Sequence, residues 1–176
     1  MMTIENLHFR RPQMDDAEVL CRLKNNENAA RLLGGVHHAY SVNDIEKWID
    51  FHNSNPDELI LVIEDTQSGN IIGHIGLYKI DRVPKKAELG ILIADERCWG
   101  KGYGTKATRI LVDYAFKTLG LHKVTAEVLT PNAPSVAMFK KCGFSVDGCL
   151  RDDVYKNGRY YDVFTMSILS DEQHRQ

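Results

Sequence analysis

The chain carries no large excess of either charge. Lys and Arg number 22 against 24 Asp and Glu among 176 residues, giving a formal net charge of -2 at pH 7. That excludes a general electrostatic drive toward nucleic acid or an anionic membrane, so any anion site must be local. No apolar run approaches the roughly 18 residues of a membrane span, and the opening MMTIENLHFRRP lacks the apolar centre of an export signal. Cys21, Cys98, Cys142 and Cys149 show no CxxC spacing, which speaks against a structural zinc and for reduced thiols. The expected location is cytoplasmic, with no metal; His37 and His38 have no further ligand at metal spacing and read as loop residues. Repeats, linkers and low-complexity tracts are also missing. With 43% hydrophobic residues, we expect one domain, 1–176, around one core.

What is present is a mixed order of elements. Ile4 to Arg10 reads as a strand, and Asp15 or Asp16 opens a helix with Val19, Leu20 and Leu23 on its apolar face. Ser41 caps a second helix that buries Ile45, Trp48 and Ile49. Two apolar runs then flank Ser68, Gly69 and Asn70, a hairpin signal, and KAELGILIAD follows as a third antiparallel strand. Tyr103, Ala107, Ile110, Leu111, Tyr114 and Ala115 fall on one helical stripe, with Gly120 suited to the turn that ends it. HKVTAEVLT is a strand and NAPSVAMFKKCGF a short helix stopped by Gly143. The remainder is a hairpin turning at Asn157 and Gly158. The fold class is α/β with α+β character.

The stretch CWGKGYGTKATRILVDYAF places Gly100, Gly102 and Gly104 on alternate positions directly before the long helix. A helix N-terminus leaves several N–H groups unpaired and carries about half a positive charge. Glycines there let the backbone curl so that its amides reach phosphate oxygens, and Arg97, Lys101, Lys106 and Arg109 add cations. The pattern points to a pyrophosphate. A nucleotide P-loop is excluded, because Thr105 stands where its second glycine should be. A dinucleotide fingerprint remains open as an alternative, since Gly102, Gly104 and Ala107 spell GxGxxA and Glu127 lies near the ribose-binding distance. Against it, ADERCW separates the turn from its strand, and the turn follows an antiparallel hairpin.

WGKGYGTKA followed by NAPSVAMFKKCGF resembles motifs A and B of the GNAT superfamily of acyl-CoA-dependent N-acetyltransferases, and the element order is similar to that fold nearly throughout. LHFRRPQMDDAEVLCRLKNNENAARLL and NGRYYDVFTMSIL resemble the branch of ribosomal-protein alanine, spermidine and amino-sugar acetyltransferases. The resemblance implies a mostly antiparallel twisted sheet of about seven strands, splayed between the fourth and fifth, with about four flanking helices. It also implies acetyl-CoA as cosubstrate, its pyrophosphate cradled by amides from Gly100 through Lys101, Gly102, Tyr103 and Gly104 to Thr105. Trp99 replaces the usual Gln or Arg of the motif. Ile91, Leu92 and Ile93 would contact pantetheine, Asn132 the CoA arm, and Ser135 and Lys140 or Lys141 the phosphates.

Acetyl transfer sets further demands. An alkylamine with pKa near 10 is only about 0.1% neutral at pH 7, so presenting the free amine costs roughly 4 kcal/mol without help. By the resemblance, Glu88 is the candidate general base, and an amide near Leu92 or Ile93 stabilises the charge on the acetyl oxygen. Phe139, counted by the resemblance among the cofactor-binding residues, stands at the motif B position where many relatives carry a proton-donating tyrosine. Tyr103, Tyr155 and Tyr160 are the substitutes the chain offers, and Cys142 reads as core because direct attack needs no acyl-enzyme. RLLGGVHHAY lacks the acidic cluster of spermidine enzymes, although Asp152, Asp153 and Asp162 stand elsewhere. The expected acceptor is therefore a small-molecule amine or a protein N-terminus. An amino sugar or polyamine is the alternative, a CoA-binding sensor without turnover the non-enzyme alternative, and a homodimer is an assembly common in the family that the chain resembles.

Overall fold

The computed structural model describes residues 2–4, 6–31, 33 and 39–173. His37 and His38 lie outside these residues. Eight strands, β1 (Met2–Ile4), β2 (Leu7–Arg10), β3 (Leu59–Asp65), β4 (Asn70–Asp81), β5 (Lys86–Ile93), β6 (Lys123–Leu129), β7 (Ser145–Lys156) and β8 (Arg159–Leu169), form one sheet in the order β1-β2-β3-β4-β5-β6-β8-β7. The expected seven are all there, and the first is divided into β1 and β2 by a tight turn. Every neighbouring pair is antiparallel except β5 and β6.

That parallel pair is short. Lys86 to Glu88 run beside Lys123 to Thr125, after which β5 pairs only with β4 while β6 stays zipped to β8 as far as Leu129. The sheet therefore opens into a gap bordered by Ile91 and Ile93. The splay expected between the fourth and fifth of seven strands falls here.

Among the described residues, five α-helices cover the two faces. On one, α1 (Ala17–Lys24) and α3 (Val42–Ser54) bury Leu20, Ile45 and Ile49 against Val62, and α2 (Glu27–Arg31) buries Ala29 against Leu92 and Ala94. Each such side chain contributes about 1.5–3 kcal/mol on leaving water. The start of α3 is fixed by a reciprocal cap: Asp44 N–H donates to Ser41 Oγ at 3.2 Å and Ser41 N–H to the Asp44 carboxylate at 2.9 Å. On the other face, α4 (Tyr103–Lys117) buries Tyr103, Ala107, Leu111, Val112 and Ala115 in the larger core. Thr108 and Val112 are buried as well, while Ile110 and Tyr114 are half-buried, so the apolar stripe runs slightly to one side of the expected one. No helix among the described residues is long and apolar enough to cross a membrane.

The last helix, α5 (Ala133–Lys141), ends as its sequence requires. Gly143 adopts φ +92°, Phe144 N–H donates to Phe139 O at 3.0 Å and Gly143 N–H to Lys140 O at 3.0 Å. An apolar contact commonly accompanies this pair of hydrogen bonds, and the Phe139 and Phe144 rings supply one at 4.9 Å.

Candidate active site

Along β5 the peptide groups alternate sides. Lys85 O accepts from the His122 and Lys123 amides at 2.6 and 3.1 Å, and Ala87 O from Thr125 Oγ1 at 3.3 Å, so odd-numbered residues face β6. Leu92 O instead lies against Gly73 of β4. Ile91 and Ile93 thus direct their N–H and C=O into the gap, and Leu92 does not. This corrects the sequence expectation that the Leu92 amide could serve there; Leu92 borders the site through its side chain. Strand parity decides this, and it is unreadable until the partner strand is known.

At the mouth of the gap lies the glycine turn. Gly100 and Gly102 take φ +73° and +81°, and the first intrahelical bond of α4 runs from Lys106 N–H to Gly102 O at 3.0 Å. The amides of Tyr103, Gly104 and Thr105 are left at the positive end of the helix without intrahelical acceptors. An added Cβ at Gly102 would meet nothing within 4 Å, so the glycine serves the left-handed backbone rather than close packing.

A groove of about 520 Å³ joins turn and gap. Of the residues singled out from sequence, it is lined by Ile91, Leu92, Ile93, Trp99, Gly100, Gly102, Tyr103, Gly104, Thr105, Asn132, Ser135 and Lys141. Asn132 is buried and caps α5, its side chain accepting from Ser135 N–H at 3.2 Å, so capping and groove lining coincide. Trp99 Nε1 donates to Ile93 O at 2.7 Å, placing an indole on one of the two gap-facing carbonyls. Lys101 is exposed outside the groove. Arg97 is engaged by Asp95 at 2.8 Å, and Arg109 donates to Lys141 O at 2.7 Å.

Phe139, expected among the cofactor-binding residues, does not reach the groove: it is 4% exposed in the core, where its ring packs on Phe144 across the end of α5. Sequence reading missed Ala29, Leu33, Cys98, Pro134 and Met138 as lining residues. They come from three separate segments with ordinary apolar patterning, and only Met138 left a trace, in the missing side chain of Gly104, whose Cβ would sit 2.9 Å from its sulfur.

Glu88 lies on the α1–α3 face, opposite Tyr78 across the β4–β5 pair. It is half-buried and bonded to Lys79 Nζ at 2.8 Å. The Tyr78 ring folds over Gly90, whose absent Cβ makes room for it. Burial, then the Glu58 and Glu88 carboxylates, push the Tyr78 phenol up, keeping it a hydrogen-bond donor. Tyr155 and Tyr160 are 58% and 61% exposed and pair with each other. Tyr103 accepts from Asn6 Nδ2 at 3.2 Å.

Above this face Trp48 edges His52 and His74 at 4.7 and 5.3 Å, and His52 is bonded to Glu58. The Lys24 ammonium sits 4.3 Å from the Trp48 ring centroid and 5.6 Å from that of Tyr40. Burial pushes Lys24 down to about 8, and burial, then the charges of Lys24 and His52, hold His74 well below its ordinary value. A lysine lowered on folding binds fewer protons than the unfolded chain, so its contribution to stability improves as pH rises from about 8 to 10.5. The aromatic faces return part of the cost, roughly 1–2 kcal/mol. Lys24→Met should therefore stabilise the protein by about 1 kcal/mol at pH 7 and by little above pH 10, as read from urea melts at both pH values.

A splayed parallel pair with a helix N-terminus at its mouth is the arrangement that the resemblance to acyl-CoA-dependent acetyltransferases implies. The family model for the Acetyltransferase (GNAT) domain matches residues 6–145, and the chain belongs to that family and is an N-acetyltransferase. It is 36% identical over 129 residues to the spermidine N(1)-acetyltransferase of Vibrio cholerae serotype O1, covering 73% of each chain. It is 39% identical over 104 residues to YdaF of Bacillus subtilis (strain 168), named as a ribosomal N-acetyltransferase, covering 59% of this chain and 56% of that one. Among solved structures, spermidine N-acetyltransferase from Vibrio cholerae in complex with CoA and spermine superposes with a TM-score of 0.87 at 32% identity, over 96% of this chain and 98% of that one.

Proposed function

We propose that this enzyme moves an acetyl group from acetyl-CoA to a primary amine bound beside it, with no acyl-enzyme. The observation that carries the reading is the gap between β5 and β6 opening directly onto the glycine turn. Unpaired amides at the start of α4 would hold the pyrophosphate. Ile91 and Ile93 would pair with the pantetheine arm, and the N–H of Ile93 would meet the developing charge on the acetyl oxygen. The thioester supplies an activated acetyl group and a thiolate leaving group of pKa near 8.5, which departs without a strong acid. Cys142 stays outside the chemistry: it is 5% exposed and burial pushes its thiol up to about 11.

Glu88 takes the amine proton directly or through water. Glu88→Gln keeps the shape and removes the base, so kcat should fall about 10²–10³-fold at pH 7 while the calorimetric Kd for acetyl-CoA stays within twofold. Equal loss of binding would remove Glu88 from this role.

For the acceptor we favour a small monoamine or a protein N-terminus. In support, the aromatic faces suited to an alkylammonium are already filled by Lys24, and Glu88 and Glu58 are engaged by Lys79 and His52. The second reading, a polyamine, draws its support from the spermidine acetyltransferases among the relatives. For it, the chain offers Asp152 and Asp153 on the bulge of β7. A panel of spermidine, an alanine-initiated peptide, an amino-sugar nucleotide and simple alkylamines, followed by thiol release from acetyl-CoA, separates them. Preference for spermidine by tenfold or more in kcat/KM overturns the first reading.

A further inference from the structure

Lys156 closes β7 and is 7% exposed. Its ammonium has no carboxylate partner among the described residues. It donates instead to Ala30 O at 2.6 Å and Leu33 O at 2.7 Å, across more than 120 residues of chain. Ala30 lies in the last turn of α2 and Leu33 just beyond it; Ala30 O also accepts from Leu33 N–H at 3.2 Å, and the carbonyl end of a helix favours a cation. A helix this short has little stability of its own, so its placement depends on what holds it.

What α2 places is part of the groove wall. Ala29 and Leu33 pack with Leu92 and Ala94 in one apolar cluster, and Ala29, Leu33 and Leu92 all line the groove. Displacing α2 outward would widen the groove beside the gap-facing Ile91 and Ile93 and leave the glycine turn untouched.

We propose that Lys156 is a positioning residue that latches α2 to the β7–β8 hairpin and thereby sets the width of the acyl end of the groove, restricting the enzyme to short acyl-CoA donors. This rests on the acetyl-CoA reading above. Removing the ammonium takes the lysine bond from both carbonyls, leaves Ala30 O only the Leu33 N–H, and cuts the tie between this wall and β7. The turnover-independent signature is a change in discrimination between acyl chains, with affinity for the common CoA portion unchanged.

The test is calorimetry, without amine, of free CoA, acetyl-CoA and butyryl-CoA with wild type, Lys156→Met, Lys156→Arg and Leu33→Ala. Wild type should bind acetyl-CoA at least tenfold tighter than butyryl-CoA. Lys156→Met should bring that ratio to within about twofold of unity with the Kd for free CoA unchanged, and Lys156→Arg should restore part of it. Leu33→Ala lowers the same wall without touching the lysine and should shift the ratio in the same direction even if Lys156→Met does not fold. A ratio unmoved by Leu33→Ala, or affinities falling equally for all three ligands in folded Lys156→Met, overturns the proposal while leaving the acetyl-CoA reading standing. Failure of wild type to bind any of the three overturns both.

Discussion

Gly102→Asp should raise the Kd for acetyl-CoA by at least about a hundredfold and lower Tm by only a few degrees. The two effects have separate causes. At φ +81° an L-residue costs about 1–2 kcal/mol of backbone strain, but the space around the new Cβ is open, so no packing is lost. A 1–2 kcal/mol change moves Tm by roughly 2–8 °C in a chain of this size. The binding effect is electrostatic. A carboxylate about 5 Å from a phosphate charge costs on the order of 3 kcal/mol at an effective dielectric constant near 20, equal to a little over a hundredfold in affinity. Gly102→Ala keeps the strain without the charge and should weaken binding far less. If calorimetry finds aspartate and alanine equivalent, the pyrophosphate does not sit on this turn.

Gly73→Ala should be the more damaging change to the fold. Its Cβ would lie 1.9 Å from Leu92 O, 2.9 Å from Leu92 C and 3.0 Å from Ile93 Cα, all backbone atoms of the strand that borders the gap. Neither strand can yield by rotating a side chain. Overpacking of this kind costs at least about 3 kcal/mol, or roughly 6–12 °C in Tm, and the strain is relieved by moving β5, so affinity for acetyl-CoA should fall with stability. Gly104→Ala is the control: its Cβ meets the flexible end of Met138, and the protein should remain close to wild type in thermal melts. Wild-type melting of Gly73→Ala would mean that β4 and β5 are less tightly registered than their pairing implies.

Most of the fold was legible because it is written locally. Gly69 and the Asn157–Gly158 pair turn hairpins, Ser41 and Asp44 cap a helix, and Gly143 stops one, each within four residues of the feature it creates. The glycine turn was readable for the same reason. What escaped is long-range. The break between β1 and β2 carries no glycine or proline. Lys24 and Lys156 are lysines, which composition assigns to the surface; aromatic faces from other elements cover the first, and the second is buried where it bonds the carbonyls of α2. The division of labour between Leu92 and Ile93 depends on which neighbour each peptide group faces. Phe139 looked like a vacancy at a catalytic position, and its ring is committed to closing its own helix.

The strand order has a consequence for synthesis. β1 to β5 form a continuous meander in which each strand is paired by the one that follows it. The opposite border of the gap differs: β6 is supported along its length by β8, the last strand of the chain, inserted between β6 and β7. A ribosome-bound chain can therefore complete one bank of the cleft early, but the other is held in the sheet only at Lys123 to Thr125, beside β5, until β8 has emerged. The gap acquires its second bank only when β8 has paired, after β5 and the glycine turn are already in place.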